Sequence, residues 1–197
     1  YDGKRFFIAD TGNSRILMWN EMPRTSSKEF DLVLGQSSVT GVSPNKGKDS
    51  PNYNTMMYPA GVYSDGNSLY VADTGNNRVL VFDKIPTMNG WHADSVIGQK
   101  KFKDMFPNMG SKTVEDGLSS PTGVFVFNDR MYITDHGNNR VLVLVKDDSG
   151  SWKVYGVVGK KNINSTPTPS TLYGPYKTYI KDKMIYIADK LNNRVLI

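Results

Sequence analysis

The stretch "SLYVADTGNNRVLVFD", residues 68–83, decides the fold. It places Asp73-Thr74-Gly75 at the end of an apolar strand, as in the catalytic loop of an acid protease. Such a protease needs two carboxylates sharing one proton. The stretch instead recurs three more times, as "RFFIADTGNSRILMWN" (5–20), "RMYITDHGNNRVLVLV" (130–145) and "MIYIADKLNNRVLI" (184–197). The aligned aspartates Asp10, Asp73, Asp135 and Asp189 stand 63, 62 and 54 residues apart (73 − 10, 135 − 73, 189 − 135). Four loops are too many for a shared proton. The Thr-Gly pair also becomes His136-Gly137 and then Lys190-Leu191. What recurs is Asp-x-x-Asn-x-Arg followed by two aliphatic residues, so the aspartate is read as part of a turn.

Working outward, other segments keep step. "YPAGVYSDG" (58–66), "SPTGVFVFND" (120–129) and "YGPYKTYIKD" (173–182) precede the motif. "DLVLGQ" (31–36), "DSVIGQ" (94–99) and "VYGVVGK" (154–160) follow it. Each unit therefore reads as four short strands, A to D, separated by turn residues. In the second unit they fall at about 60–64, 68–72, 78–83 and 94–98. Strands B and C are almost wholly apolar, as in Leu69-Tyr70-Val71-Ala72 and Val79-Leu80-Val81-Phe82. Strands of that kind need cover on both faces. Radially stacked blades supply it, and a repeat of this length points to a propeller. The expected fold is all-β, a β-propeller of four-stranded antiparallel blades in one domain, with units at 1–58, 59–120, 121–172 and 173–197.

The motif residues have expected places in that fold. Asp73 should accept N–H groups of its own loop in an Asx-type turn. Asn76 and Asn77 tolerate left-handed backbone. Arg78 can pair with a carboxylate or cap carbonyls of a neighbouring loop. The same roles fall to Asp10, Asn13 and Arg15, to Asp135, Asn138, Asn139 and Arg140, and to Asp189, Asn192, Asn193 and Arg194. On this reading Asp73→Ala costs about 1–2 kcal/mol through lost turn hydrogen bonds.

Composition narrows the chemistry. The chain has 197 residues, no cysteine and a net charge of +5 from 24 basic and 19 acidic residues. No apolar run is long enough to span a membrane. Two histidines, His92 and His136, are too few for a zinc site, and they are expected on opposite faces. Asp147-Asp148-Ser149-Gly150 offers acidic oxygens to calcium but reads more simply as a hairpin turn. No catalytic, metal or cofactor residues are assigned. The long loops between units, about 37–58, 100–119 and 160–172, carry Lys46, Lys48, Lys100, Lys101, Lys103, Lys112, Lys160 and Lys161, with Tyr53, Phe102 and Phe106 among them. Lys100, Lys101, Phe102, Lys103, Lys160 and Lys161 are the candidate ligand-binding residues. Interleaved cations and aromatics suit single-stranded nucleic acid, though lysine argues against close base readout.

The repeated "ADTGNNRVLVFD" resembles NHL repeats over essentially the whole chain, and "DKIPTMNGWHADSVIGQKKF" (83–102) resembles a bacterial subgroup of them. The resemblance implies the propeller and leaves function open, because such propellers serve as RNA binders, protein platforms and enzyme scaffolds. The leading expectation is a non-catalytic binding or scaffold propeller that recognises a protein or polymeric ligand through the face carrying the B–C and D–A loops. The alternatives are an RNA-binding propeller using the lysine-bearing loops, and a lyase or hydrolase whose site lies in further blades. An exported or cell-surface protein is favoured. The first unit lacks strand A and the last lacks strand D, so the chain reads as part of a longer ring, with six blades needing roughly 360 residues. Phe6, Phe7, Ile185 and Ile187 are then expected to be exposed on the end blades.

Overall fold

The computed structural model describes residues 1–111, 115–159 and 171–197. The described residues form four antiparallel sheets and no α-helix. The first sheet holds β1 (Phe6–Asp10), β2 (Arg15–Trp19) and β3 (Leu32–Leu34). The second holds β4 (Gly61–Ser64), β5 (Leu69–Asp73), β6 (Arg78–Phe82) and β7 (Ser95–Ile97). The third holds β8 (Pro121–Phe127), β9 (Arg130–Asp135), β10 (Arg140–Lys146) and β11 (Trp152–Gly159). The fourth holds β12 (Pro175–Lys181), β13 (Met184–Asp189) and β14 (Arg194–Leu196). Strands within every sheet lie in chain order, with no crossover, so each sheet is one blade of a β-propeller.

The cores lie between sheets. Leu69, Val71, Leu80 and Phe82 of the second sheet meet Phe7, Ile16, Met18 and Leu34 of the first. The other face of the second sheet gives Tyr70, Val79 and Val81 to a core with Ile133 and Leu142 of the third. This two-sided burial is why β5 and β6 carry no polar face. Two end-blade expectations are corrected. Phe7 is buried against the second sheet, and Ile187 is buried with Val141 and Leu172. Strand alternation turns both towards a neighbouring sheet, Phe6 and Ile185 are partly buried, and Ile8, Met184, Val195 and Ile197 are among the exposed apolar residues of the end blades.

The aspartate–arginine motif has one geometry throughout. Asp and Arg are cross-strand partners in all four sheets: Asp10 with Arg15, Asp73 with Arg78, Asp135 with Arg140, Asp189 with Arg194. Between them runs a 3-10 turn of three residues, closed by one left-handed residue: Ser14, Asn77, Asn139 or Asn193. Only the second asparagine of each Asn-Asn pair is therefore left-handed. The first turns its amide onto the aspartate: Asn76 Nδ2 lies 2.8 Å from Asp73 Oδ2, and Asn138 Nδ2 lies 2.7 Å from Asp135 Oδ2.

The aspartate does not cap its own turn. Asp73 Oδ1 accepts the N–H of Met57, Asp135 Oδ1 that of Ser119 and Asp189 Oδ1 that of Tyr173, each sixteen residues upstream in the loop entering the blade. Oδ2 accepts Nε of the arginine at 2.7–2.8 Å in all four sheets. Arg78 then donates from Nη2 to the carbonyls of Asn52 and Thr55 and from Nη1 to that of Phe102. One ion pair thus ties a blade to the loops on both of its sides.

Neither Asp73 nor Arg78 has exposed side-chain surface. Asp73→Ala strands a buried guanidinium, so the expected cost rises to about 3–5 kcal/mol. Asp10, with 23% of its side chain exposed, should cost measurably less when changed to alanine, as read by denaturant unfolding. The pairs also differ in their response to acid. Burial pushes the Asp73 and Asp135 carboxyls up, against the pull of Arg78 and Arg140. At Asp189 burial also pulls upward, but it is outweighed by the Tyr173 N–H, Asn192 and Arg194, leaving the carboxyl below its ordinary value of 3.8. Asp189 has no exposed side-chain surface, while its partner Arg194 is 31% exposed. A lowered folded pKa gives stability above 3.8 that is lost as the pH falls through the folded value. The stability gap between the protein and its Asp189→Asn variant should therefore be full near pH 6 and shrink below 3.8.

Candidate functional site at the inner strands

Of the candidate ligand-binding residues, the described ones lie on a single turn. Lys100, Lys101 and Lys103 are exposed on the turn after β7, where Lys101 N is held by Asp104 Oδ2 at 3.1 Å. Phe102 is partly buried against the core between the first two sheets and meets Tyr53 edge-on at 6.3 Å. Its ring is committed to packing, not offered beside the lysines. Lys160 and Lys161, with Lys112, lie outside the described residues. The Asp147 turn is filled from within, since Oδ1 accepts Ser149 N, Ser149 Oγ and Ser151 N. Among the described residues no group of three or more His, Cys, Asp or Glu could hold a metal. His92 packs against Tyr53 and Trp91, while His136 bonds the carbonyl of Pro175.

The loops carry partners that the motif alone did not reveal. Asn45 and Asn76 exchange a pair of amide hydrogen bonds, and Asn108 and Asn138 do the same. The signal was present in "PNKG" (44–47) and "PNMG" (107–110), which follow the preceding motif aspartate at the same distance (45 − 10 = 35, 108 − 73 = 35). Gln36 and Gln99, the glutamines of the recurring Gly-Gln element, donate to the carbonyls of Ser14 and Asn77. Both ends of the loops entering the second and third blades are thereby pinned.

A denser cluster lies where β4, β8 and β12 pack side by side. These are the first strands of three successive blades, which in a propeller surround the central axis. Their matching residues are Ala60-Gly61-Val62-Tyr63, Thr122-Gly123-Val124-Phe125 and Tyr176-Lys177-Thr178-Tyr179. The aromatics make a row, with centroids 4.7 Å apart for Tyr63–Phe125 and 5.4 Å for Phe125–Tyr179. At the end nearest the aspartate turns, Lys177 Nζ reaches across two blades to the carbonyls of Thr122 (3.0 Å) and Ala60 (2.9 Å). The residue is exposed, but desolvation lowers the pKa of its ammonium.

The turns meet this end of the strands. Thr11 Oγ1 donates to Pro59 O at 2.8 Å and Thr74 Oγ1 to Pro121 O at 2.7 Å. The matching position in the third turn is His136, whose Nδ1 lies 3.1 Å from Pro175 O. A carbonyl only accepts, so Nδ1 is the donor here, and in the neutral imidazole the lone pair is on Nε2. In the fourth turn the position is Lys190, whose Nζ lies 4.8 Å from the centroid of the Tyr176 ring. His136 faces the same ring edge-on at 6.4 Å. Two ammonium groups, an imidazole and a phenol thus share one corner of the molecule. Reading the repeats for what recurs hid them: they are the positions where the third and fourth units depart from Thr, Ala and Gly.

Comparison with known proteins follows the fold. Residues 56–82 match the NHL repeat family model. No curated protein sequence matches the chain. Among solved structures, the periplasmic gluconolactonase of Pseudomonas aeruginosa is similar over 98% of this chain and 46% of its own, at 13% identity and a TM-score of 0.57. A Bacteroides fragilis protein described as a 6-phosphogluconolactonase is similar over 98% of this chain and 47% of its own, at 15% identity and 0.56. A Bacteroides uniformis protein of the same description is similar over 99% and 50%, at 12% identity and 0.51. The chain spans about half the length of each. These neighbours are enzyme types by name, and this corrects the expectation of a non-catalytic scaffold propeller reading a protein or polymer through its loop face. The repeated motif could not have told the two apart, because it builds the blades in either case. The chain thus carries an NHL repeat at residues 56–82, on a propeller whose antiparallel blades have three or four strands among the described residues.

Proposed function

We propose that this chain supplies about half of an enzyme-type propeller of the hydrolase class, exported from the cell, that opens a small cyclic ester of the sugar-lactone kind. The observation that carries the reading is the similarity of 98–99% of the chain to propellers described as lactonases. The periplasmic setting of one of them supports export. Among the described residues no helix is long and apolar enough to cross a membrane.

Lactone opening makes defined demands. Water must lose a proton as its oxygen bonds to the acyl carbon, the ring C–O bond must break, and the leaving alkoxide must regain that proton. A general base and a hydrogen-bond donor for the carbonyl oxygen are sufficient. His136 offers a basic Nε2, and Lys177 offers an ammonium at the same end of the inner strands.

The test is hydrolysis of D-glucono-δ-lactone and related lactones by the full-length protein, followed by pH-indicator absorbance against the uncatalysed rate. Turnover is expected, and His136→Ala should lower kcat by about a hundredfold, the usual scale for loss of a general base. Rates equal to the uncatalysed background with every lactone would overturn the proposal.

A further inference from the structure

We propose that Lys177 and Lys190, flanking Tyr176 at the junction of the third and fourth sheets, form a binding site for a small ligand bearing an oxyanion, a carboxylate or a phosphate. The proposal deepens the hydrolase reading, since opening a lactone yields a carboxylate, but the site is argued from its own geometry.

The first argument is what the fold does without. In the second and third sheets the inner strand runs through Gly61 and Gly123, and in the fourth the same place holds Lys177. Ala60 and Thr122 become Tyr176. Thr11 and Thr74 become His136 in the third turn and Lys190 in the fourth. Sister units close the same turn and build the same strand with small neutral residues. The blades therefore do not require the charged and aromatic ones. A local departure from an otherwise consistent pattern is where function is expected.

The second argument is unbalanced charge. Neither Lys177 nor Lys190 forms an ion pair among the described residues. Residues 112–114 and 160–170, outside those described, contain no Asp or Glu in their sequence. A partly desolvated ammonium facing only neutral carbonyls is unfavourable until an anion joins it. Lys177 uses two of its three N–H donors on Ala60 and Thr122, and the third is left for a ligand. Both lysines lie within about 6 Å of one ring, the reach of a cation–π contact. Two like charges held near one aromatic ring repel each other, and an oxyanion bound beside them offsets that repulsion.

The third argument is that the ammonium is held in place. A Cβ on Gly61 would come within 2.8 Å of Thr122 O and 3.0 Å of Gly123 Cα. Its absence lets β4 and β8 approach closely enough for Ala60 O and Thr122 O to share one ammonium. Lys177 is thus fixed in direction before any ligand arrives, which lowers the entropic cost of binding.

The experiment titrates the protein with sodium gluconate, which carries only a carboxylate, and with glucose 6-phosphate, which carries only a phosphate, at constant ionic strength. Calorimetry gives the affinity, and the imidazole NMR signals of His136 and His92, the chain's two histidines, give the place. At least one ligand should bind, shifting the His136 signal and leaving that of His92 unmoved. Lys177→Met and Lys190→Met should each weaken binding about tenfold. Lys153→Met, on β11 away from the cluster, should not. Lys190 is exposed, so its variant stays informative if Lys177→Met unfolds. Absence of binding by both ligands, or equal weakening by Lys153→Met, overturns the site. Binding with these properties in a protein that hydrolyses no lactone would overturn the hydrolase reading and leave the site standing. Lactone turnover with affinities unchanged in both lysine variants would do the reverse.

Discussion

A buried carboxylate that must find enough partners to remain buried is the constraint on which this structure rests. Taken from water alone, such a group costs several kcal/mol. Asp73 meets that cost with the Arg78 guanidinium, the Asn76 amide and the Met57 N–H. The last of these lies outside its own blade. A blade that buries its aspartate therefore draws the preceding loop onto itself, and the arginine does the same for the following loop through Phe102 O. Repeated along the chain, this arrangement sets the spacing between sheets, and the apolar cores fill the gaps so defined. The hub is a specifying device as much as a stabilising one, since an apolar pair would bury equally well without choosing its loops.

Much of the fold is legible in the sequence because repetition separates what is required from what is incidental. The strands of the second unit begin and end within one or two residues of their expected bounds. The two-sided burial of β5 and β6 follows from their lack of a polar face. Details that depend on distant chain are less legible. The Asp73 acceptor reads as a local turn because its partner, Met57, is sixteen residues upstream and carries no polar side chain to mark it. The burial of Phe7 and Ile187 depended on which face of an end strand turns towards a neighbour, a matter of register that one strand alone does not reveal.

The candidate site was hidden for the opposite reason. In the sequence the recurring residues stand out, and the places where recurrence fails do not. Lysine-bearing loops stood out by composition, yet Phe102 proves to be a packing residue there. The inner-strand cluster is spread over Thr74 and His136, Gly123 and Lys177, Ala60 and Tyr176: pairs that become comparable only once the sheets are aligned. In a repeat protein the blades are built by the shared residues, and chemistry is free to reside in the unshared ones.

The central claim, that each buried aspartate clamps the loop entering its blade, is tested most directly by native-state hydrogen exchange at the amides of Met57, Ser119 and Tyr173. All three lie in connecting segments outside the strands, where exchange would ordinarily be fast. If the clamp holds, these three amides exchange as slowly as those of β5 and β9, because releasing them requires opening the blade. Exchange at the rate of exposed loop amides such as Ser26 and Ser27 would contradict the account.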